Sequence, residues 1–299
     1  MQPDAIRLSV FVFVFSLMAI WELLHATRRL SRSKSKRWSR NLLVTLISTV
    51  LVRLLLPFTA GSASIWAQEA NHGLMNISGI SNTFLGVVFA VVVMDFCIYC
   101  QHVVFHVFSP LWRLHMMHHA DQDYDLTTGS RFHPIEIIFS MIVKCAIVVA
   151  LGGSPVAVLI FEITLSSAAM FNHGNVSIPE RLDRILRWII VTPDMHRVHH
   201  STETNETHSN YGFNLPWWDR LFSTYVKEPE AGHKQMKIGL KHIVDEDQFL
   251  PSNMLIMPFK MGGGTYPSAC TPARRRVARI GLFVFSISIA YTVIATQFL

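Results

Sequence analysis

The chain has 299 residues, of which 51% are hydrophobic and 15% charged, against about 25% charged in an ordinary soluble domain. That deficit, with several long apolar runs, excludes a soluble globule and predicts an all-α, polytopic membrane helical bundle. The net charge of +6 is concentrated in two short runs and reads as topology signal and lipid contact, not nucleic-acid binding, while four cysteines are too few for a disulfide framework.

Residues 6–24 form the first apolar run, and Arg28, Arg29, Arg32, Lys34, Lys36, Arg37 and Arg40 follow it. Charge after the apolar core reads as an uncleaved anchor whose basic loop lies in the cytosol, setting orientation or gripping anionic lipid. Residues 41–59 return the chain outward, with Arg53 either snorkelling or facing the bundle interior. Residues 61–79 read as a polar outer loop. The third run extends from 81 to 108, about 42 Å of helix against a hydrocarbon layer of about 30 Å, so its C-terminal end should project past the bilayer. Asp95 lies within it, either functional or paired internally.

Residues 134–151 and 155–171 form a hairpin around Gly152-Gly153-Ser154, in which Lys144 and Glu162 can pair, and which returns His173 to the cytosolic side. Ser177 to Glu180 has the pattern of a capping box before an amphipathic helix lying on the membrane surface, and Thr192-Pro193-Asp194 caps another helix. Residues 201–272 complete a cytosolic, histidine-rich helical cap. Four arginines (Arg274, Arg275, Arg276 and Arg279) precede a last apolar run over 280–298. The expected architecture has about six spans with both ends outside. It divides into anchor spans and basic loop (1–80), a catalytic core (81–226), and a cytosolic segment with the last span (227–299).

Histidines carry the chemistry. His102 and His106 stand four apart, and the HxxHH triplets His115, His118, His119 and His196, His199, His200 repeat a spacing that puts side chains on one helix face. With His173 they give nine imidazoles on one side of the membrane, enough for two metals with open positions. Asp121, Asp194 and Asp219 can orient rings or serve as caps and surface charges, with Asp219 the preferred ring-orienting group.

The segments HVVFHVFSPLWRLHMMHHADQDYDLTTGSRFHP, FNHGN, TPDMHRVHHS and NYGFNLPWWDRLFSTY resemble, in order, the histidine boxes and trailing signature of the fatty acid hydroxylase superfamily, in its sterol desaturase branch. They also resemble the alkylglycerol monooxygenase group. The resemblance covers roughly residues 85–226. It implies an integral-membrane oxygenase with two iron ions (zinc can replace them in a purified sample) and O2 as cosubstrate. The ligands it implies are His102, His106, His115, His118, His119, His173, His196, His199 and His200. Where some members carry a further histidine this chain has Ser177, and Asn172 or Asn175 can hold a water in its place; Asn175 and Asp219 are the candidate catalytic residues. His133 is a candidate second-shell group, and His208 an ordinary packing residue.

The expected function is hydroxylation or desaturation of a membrane lipid (fatty acyl, sterol or ether lipid) with electrons from an external donor, a redox protein or reduced pterin. The alternatives are a zinc-dependent membrane hydrolase and a non-enzymatic metal- or lipid-binding protein. The compartment follows the source: inner membrane in a bacterium, endoplasmic reticulum in a eukaryote. Substrate, donor and oligomeric state are not legible.

Overall fold

The computed structural model describes residues 2–243, 249–262 and 271–297. The regular structure among the described residues is helical, with no strand among them and two isolated antiparallel bridges, Ala26 with Val176 and Ser201 with Ile238. Chain order gives α1 Pro3–Leu24, α2 Lys34–Leu55, α3 Ala60–Glu69, α4 Leu74–Ile77, α5 Phe84–Val107, α6 Ser109–His119, α7 Pro134–Leu151 and α8 Pro155–Asn172. Short helices follow: α9 Glu180–Leu186, α10 Pro193–His199, α11 Thr204–Thr207, α12 Trp217–Leu221 and α13 Gly232–Gln235, before α14 Pro251–Lys260 and α15 Pro272–Gln297. Six segments are long and apolar enough to cross a membrane: α1, the 34–77 stretch containing α2, α5, α7, α8 and α15. The protein is a multi-pass membrane bundle. The last expected span ended at Phe298, which lies outside the described residues.

Helix α5 is the central post. Its C-terminal half, from Asp95 to His106, is almost wholly buried, and it packs against α6, α7, α8 and α15. Gly281 of α15 allows the contact, because a β-carbon there would stand 3.0 Å from that of Cys100. Cys97, Cys100 and Cys145 are free and buried, in keeping with a packing role. Asp95 accepts a hydrogen bond from the Trp218 indole at 2.7 Å, and Lys144 lies 3.6 Å from Glu162, as the sequence allowed.

Three expectations change. The 61–79 stretch is not a loop but carries α3 and α4. Thr59 and Ser62 close a reciprocal cap on α3, and the small residues Ala60, Ser64 and Ala67 give it a face that fits against α7 and α8. Gly73 and Gly152, both at positive φ, approach so closely that a side chain on Gly73 would strike the backbone of Gly152. Second, the capping box at Ser177 does not form: α9 starts at Glu180 with Pro179 as its cap residue and no side-chain cap bond. The amphipathic character of this segment is nevertheless present, with Leu182, Ile185, Trp188 and Ile189 exposed.

Third, much of the basic loop turns inward. Arg37 is buried against Asp121 and Asp125. The carboxylate of Asp123 accepts the backbone N–H groups of Ser31 and Arg32 at 2.7 and 2.9 Å. Arg28 donates to the carbonyls of His233 and Met236, and Lys34 pairs with Glu22 at 2.9 Å. These charges strap the 25–37 segment across the loop that follows α6. The carboxylates that hold Arg37 lie 84 to 88 residues away and the carbonyls that hold Arg28 more than 200, so a reading of the local run saw only orientation and lipid.

Candidate metal centre

Helix α5 ends at Val107 with Phe108 as its C-cap, and Pro110 in the first turn of α6 resets the chain direction. His102 and His106, one turn apart near the end of α5, therefore face His115, His118 and His119 of α6. His173 caps the C-terminus of α8. Thr192 caps α10 by accepting the Met195 N–H, and this short helix and its C-cap supply His196, His199 and His200. All nine rings are buried, none more than 6% exposed. They fall into two groups whose ligand atoms lie within 4.8 Å of one another: His102, His106, His115, His119 and His199, and His118, His173, His196 and His200.

The hydrogen bonds fix which nitrogen faces inward. Nδ1 of His102 donates to the Tyr211 carbonyl (2.8 Å), that of His173 to Ala169 (2.8 Å), and that of His199 to Ser209 (2.7 Å). His115 Nδ1 faces the Glu136 carboxylate at 2.7 Å. With their protons on Nδ1, these rings present a bare Nε2 lone pair. Nε2 of His102 and of His115 stand only 3.2 Å apart. Nε2 of His173 stands 3.2 Å from Nε2 of both His118 and His196. Nε2 of His106, His119, His199 and His200 has no hydrogen-bond partner among the described residues.

Facing lone pairs repel, and buried nitrogens without partners are costly. One cation resolves both. Two imidazole nitrogens at about 2.1 Å from a shared ion, at angles between square and tetrahedral, are separated by about 3.0 to 3.4 Å. The donor set thus fits a metal that accepts neutral imidazole: iron, zinc, copper or nickel. Burial favours the neutral form. It pushes the pKa of His115 and His173 down to about 3, and those of His118, His119, His196, His199 and His200 well below the ordinary value, with mutual repulsion adding to the effect.

The surrounding groups are distributed differently from expectation. Asp219 accepts the N–H groups of Tyr211 (2.8 Å) and Gly212 (2.7 Å) and the Thr224 hydroxyl (2.6 Å). It steadies the backbone whose carbonyl receives His102. Asn175 spends its amide on the Arg28 backbone, accepting from N–H at 3.0 Å and donating to the carbonyl at 2.8 Å. Asn172 donates to the Phe213 carbonyl, and its Oδ1 is buried without a partner. Asp121 is held by Arg37 and Thr128, and Asp194 by Arg197. His133 caps α7 and bonds to the Leu255 carbonyl.

Three contributors escaped the sequence reading. Glu136 orients His115; its signal was an acid in the first turn of an apolar helix. His208 stands 3.3 Å from His106, Nδ1 to Nδ1. Gly129 passes so close to α8 that a β-carbon would lie 2.4 Å from the Ala169 carbonyl and 3.0 Å from His173 Nδ1.

A cavity of about 610 Å³ opens beside the first group. His102, His115 and Glu136 form one wall, and Phe11, Ile98, Phe105, Phe132, Met141 and Leu165 make most of it apolar.

Fold and site define a class: a helical membrane protein with a buried cluster of nine histidines, able to hold metal, beside a largely apolar cavity. Residues 87–224 match the family model for fatty acid hydroxylase. Among similar proteins, the alkylglycerol monooxygenase of Xenopus tropicalis is 32% identical over 168 residues, 54% of this chain and 33% of that protein. The ornithine lipid hydroxylase OlsE of Rhizobium tropici is 32% identical over 153 residues, 51% of this chain and 45% of the relative. A Delta(7)-sterol-C5(6)-desaturase of Nicotiana tabacum is 28% identical over 153 residues, 48% of this chain and 51% of its own length. The matches thus span between about a third and a half of these relatives. No solved structure matches the chain.

Proposed function

We propose that this chain is a di-iron lipid oxygenase that hydroxylates or desaturates a membrane lipid, using O2 and electrons from an external redox protein or reduced pterin. One observation carries the reading: imidazoles from four segments converge in two buried groups, and two rings of the first group, His102 and His115, line a largely apolar cavity between the spans. The relatives named above, a monooxygenase, a hydroxylase and a desaturase, support the reaction class.

His102, His106, His115, His119 and His199 would hold one iron, and His118, His173, His196 and His200 the other. When bound, the irons supply the oxidising power for C–H cleavage that no side chain possesses. The protein's part is positional. Carbonyls of Tyr211, Ala169 and Ser209 keep protons on Nδ1 and lone pairs inward. Phe105 and Phe132 exclude water beside the cage and press an aliphatic chain against the His102–His115 wall. The site would lie on the cytosolic side, where the basic segments collect.

Lipid mass spectrometry of cells with the gene, without it, and with His118→Ala or His199→Ala tests this reading. A lipid gaining one oxygen or losing two hydrogens only with the intact gene is expected, together with iron in the purified protein and substrate-dependent oxygen uptake. Zinc in the protein and a hydrolysed lipid would mark a metal-hydroxide hydrolase instead.

A further inference from the structure

Four residues of α5, Phe96, Tyr99, His102 and His106, recur at helical spacing and so share one face. The segment after α10 lays a second set of rings along that face. Tyr211 is fully buried, and its ring centre lies 5.1 Å from that of His106, 5.4 Å from His199 and 5.5 Å from His102. Tyr99 follows at 6.4 Å, edge to face. Phe222 lies 5.8 Å from Tyr99, Phe96 lies 5.8 Å from Phe222, and the half-buried Trp218 lies 4.9 Å from Phe96. These are contact distances for aromatic rings, so the line runs from the imidazoles to the partly exposed rim at α12.

Packing alone does not explain the polar ends of these rings. The Thr224 hydroxyl donates to Asp219 Oδ1 at 2.6 Å, which leaves its oxygen to accept the Tyr99 O–H at 2.9 Å. The Trp218 indole N–H donates to Asp95 Oδ2 at 2.7 Å. Tyr99 and Trp218 therefore each have a buried carboxylate within reach of their proton, one through a single hydroxyl and one directly. Tyr124 is the contrast. Its ring also touches His173 and His200, at 5.5 and 5.0 Å, yet its hydroxyl ends on the Asn172 carbonyl, which takes up no proton.

We propose that Tyr99 and Trp218, reached through Tyr211, are redox-active residues that drain oxidising equivalents from the metal centre when no lipid C–H bond is in reach. The inference rests on the oxygenase reading, since only a strong oxidant takes an electron from a phenol. Peroxide, formed when O2 is reduced without a substrate, is that oxidant. Tyr99 gives up one electron across Tyr211; its phenolic proton passes to Thr224 as the Thr224 proton passes to Asp219, leaving a neutral phenoxyl. Trp218 then reduces Tyr99, which recovers its proton along the same bonds, while the indole proton moves to Asp95. One electron from the external donor and the proton held by Asp95 restore the indole. Two such passages and two protons from water convert the peroxide to two water molecules, and the ligand imidazoles escape oxidation.

The test is freeze-quench EPR of the iron-loaded full chain in detergent, without lipid or electron donor, after an equimolar pulse of hydrogen peroxide. One oxidation should rest on Trp218 and the other on Tyr99, giving two signals that narrow with ring-deuterated tryptophan and tyrosine respectively. Tyr99→Phe, which keeps the ring and removes the hydroxyl, should lose the tyrosine signal and gain oxidised ligand histidines in the peptide mass spectrum. Thr224→Val should slow its formation by about a hundredfold, the lower end for a positioned proton acceptor, and Thr224→Ser should restore the rate. Tyr124→Phe should leave both signals as they were. Peroxide consumed by the unmodified iron-loaded chain, with no signal that responds to labelled tyrosine, overturns the inference whether or not any variant folds. So does a tyrosine signal that survives Tyr99→Phe, or an unchanged rate in Thr224→Val. A chain that takes zinc in place of iron would remove the oxygenase reading and this inference with it; iron and lipid oxidation without a tyrosine radical would remove this one alone.

Discussion

His115 and Glu136 meet at 2.7 Å, Nδ1 to Oε1, and link the ligand helix α6 to the first turn of the span α7. The carboxylate fixes the tautomer of the ring and would raise its basicity toward the proposed metal. Glu136→Gln keeps an acceptor and should lower metal affinity by about tenfold; Glu136→Leu removes it and should approach a hundredfold loss. Metal retained after a graded chelator challenge measures both, and full retention in the leucine variant would remove Glu136 from the centre.

Gly129 predicts an effect on one group of imidazoles and not the other. In Gly129→Ala the new methyl must displace the Ala169 carbonyl, which is the acceptor for His173. Metal bound by His118, His173, His196 and His200 should be lost preferentially, halving the metal-to-protein ratio. An unchanged ratio would show that α8 yields without cost to the site.

Arg37 is buried among Asp121, Asp123 and Asp125. Arg37→Met would leave these carboxylates without their main counter-charge, a loss on the order of 3–5 kcal/mol for a broken buried pair. A fall in the thermal midpoint of the detergent-solubilised protein is expected. Arg37→Lys should recover only part of it, because an ammonium cannot offer the two-pronged geometry.

Asp219 gives a pH dependence. Burial raises its pKa from 3.8 to about 6, against the opposing hydrogen bonds from Thr224, Gly212 and Tyr211. A carboxyl whose folded value exceeds its unfolded value binds its proton more tightly when folded. Its contribution to stability is therefore greatest below about pH 4, declines as pH rises to about 6, and is constant above that. Asp219→Asn should flatten this segment of the melting-temperature profile. Because it also loosens Tyr211, it should weaken metal retention through His102 while leaving the other group intact.

The sidedness of the bundle is open to a direct check. A reporter that fluoresces only in the cytosol, fused at the C-terminus, should stay dark, while the same reporter inserted after Pro229 should be bright. A bright C-terminal fusion would overturn the six-span orientation.

The nine histidines were legible because helical spacing is a local property: His115, His118 and His119 share a face whatever lies around them. The spans were legible for the same reason, since hydropathy averages over neighbours. Glu136 was not, because its partner is on another helix and its signal was a single acid among apolar residues. Nor was the inward turn of Arg28, Arg32 and Arg37, whose partners lie far along the chain. Residues 60–77 show composition misleading a prediction: Ser, Ala and Gly read as loop, yet the same small side chains let α3 press against α7 and α8.

The imidazoles proposed to hold the ions are shared among α5, α6, α8 and α10, and His200 is the last of them to be synthesised. On the proposed reading, ion capture would be tied to the late stages of biogenesis, after the α7–α8 hairpin has been threaded. A chain stalled before α10 would hold only part of its donors, and a finished chain made during iron scarcity would keep like-oriented lone pairs pressed together. Such a product would be strained at its centre and a natural substrate for membrane quality control, so, if the proposed irons are the ligands' partners, the cell's iron supply would set how much of this protein survives as well as how much of it works.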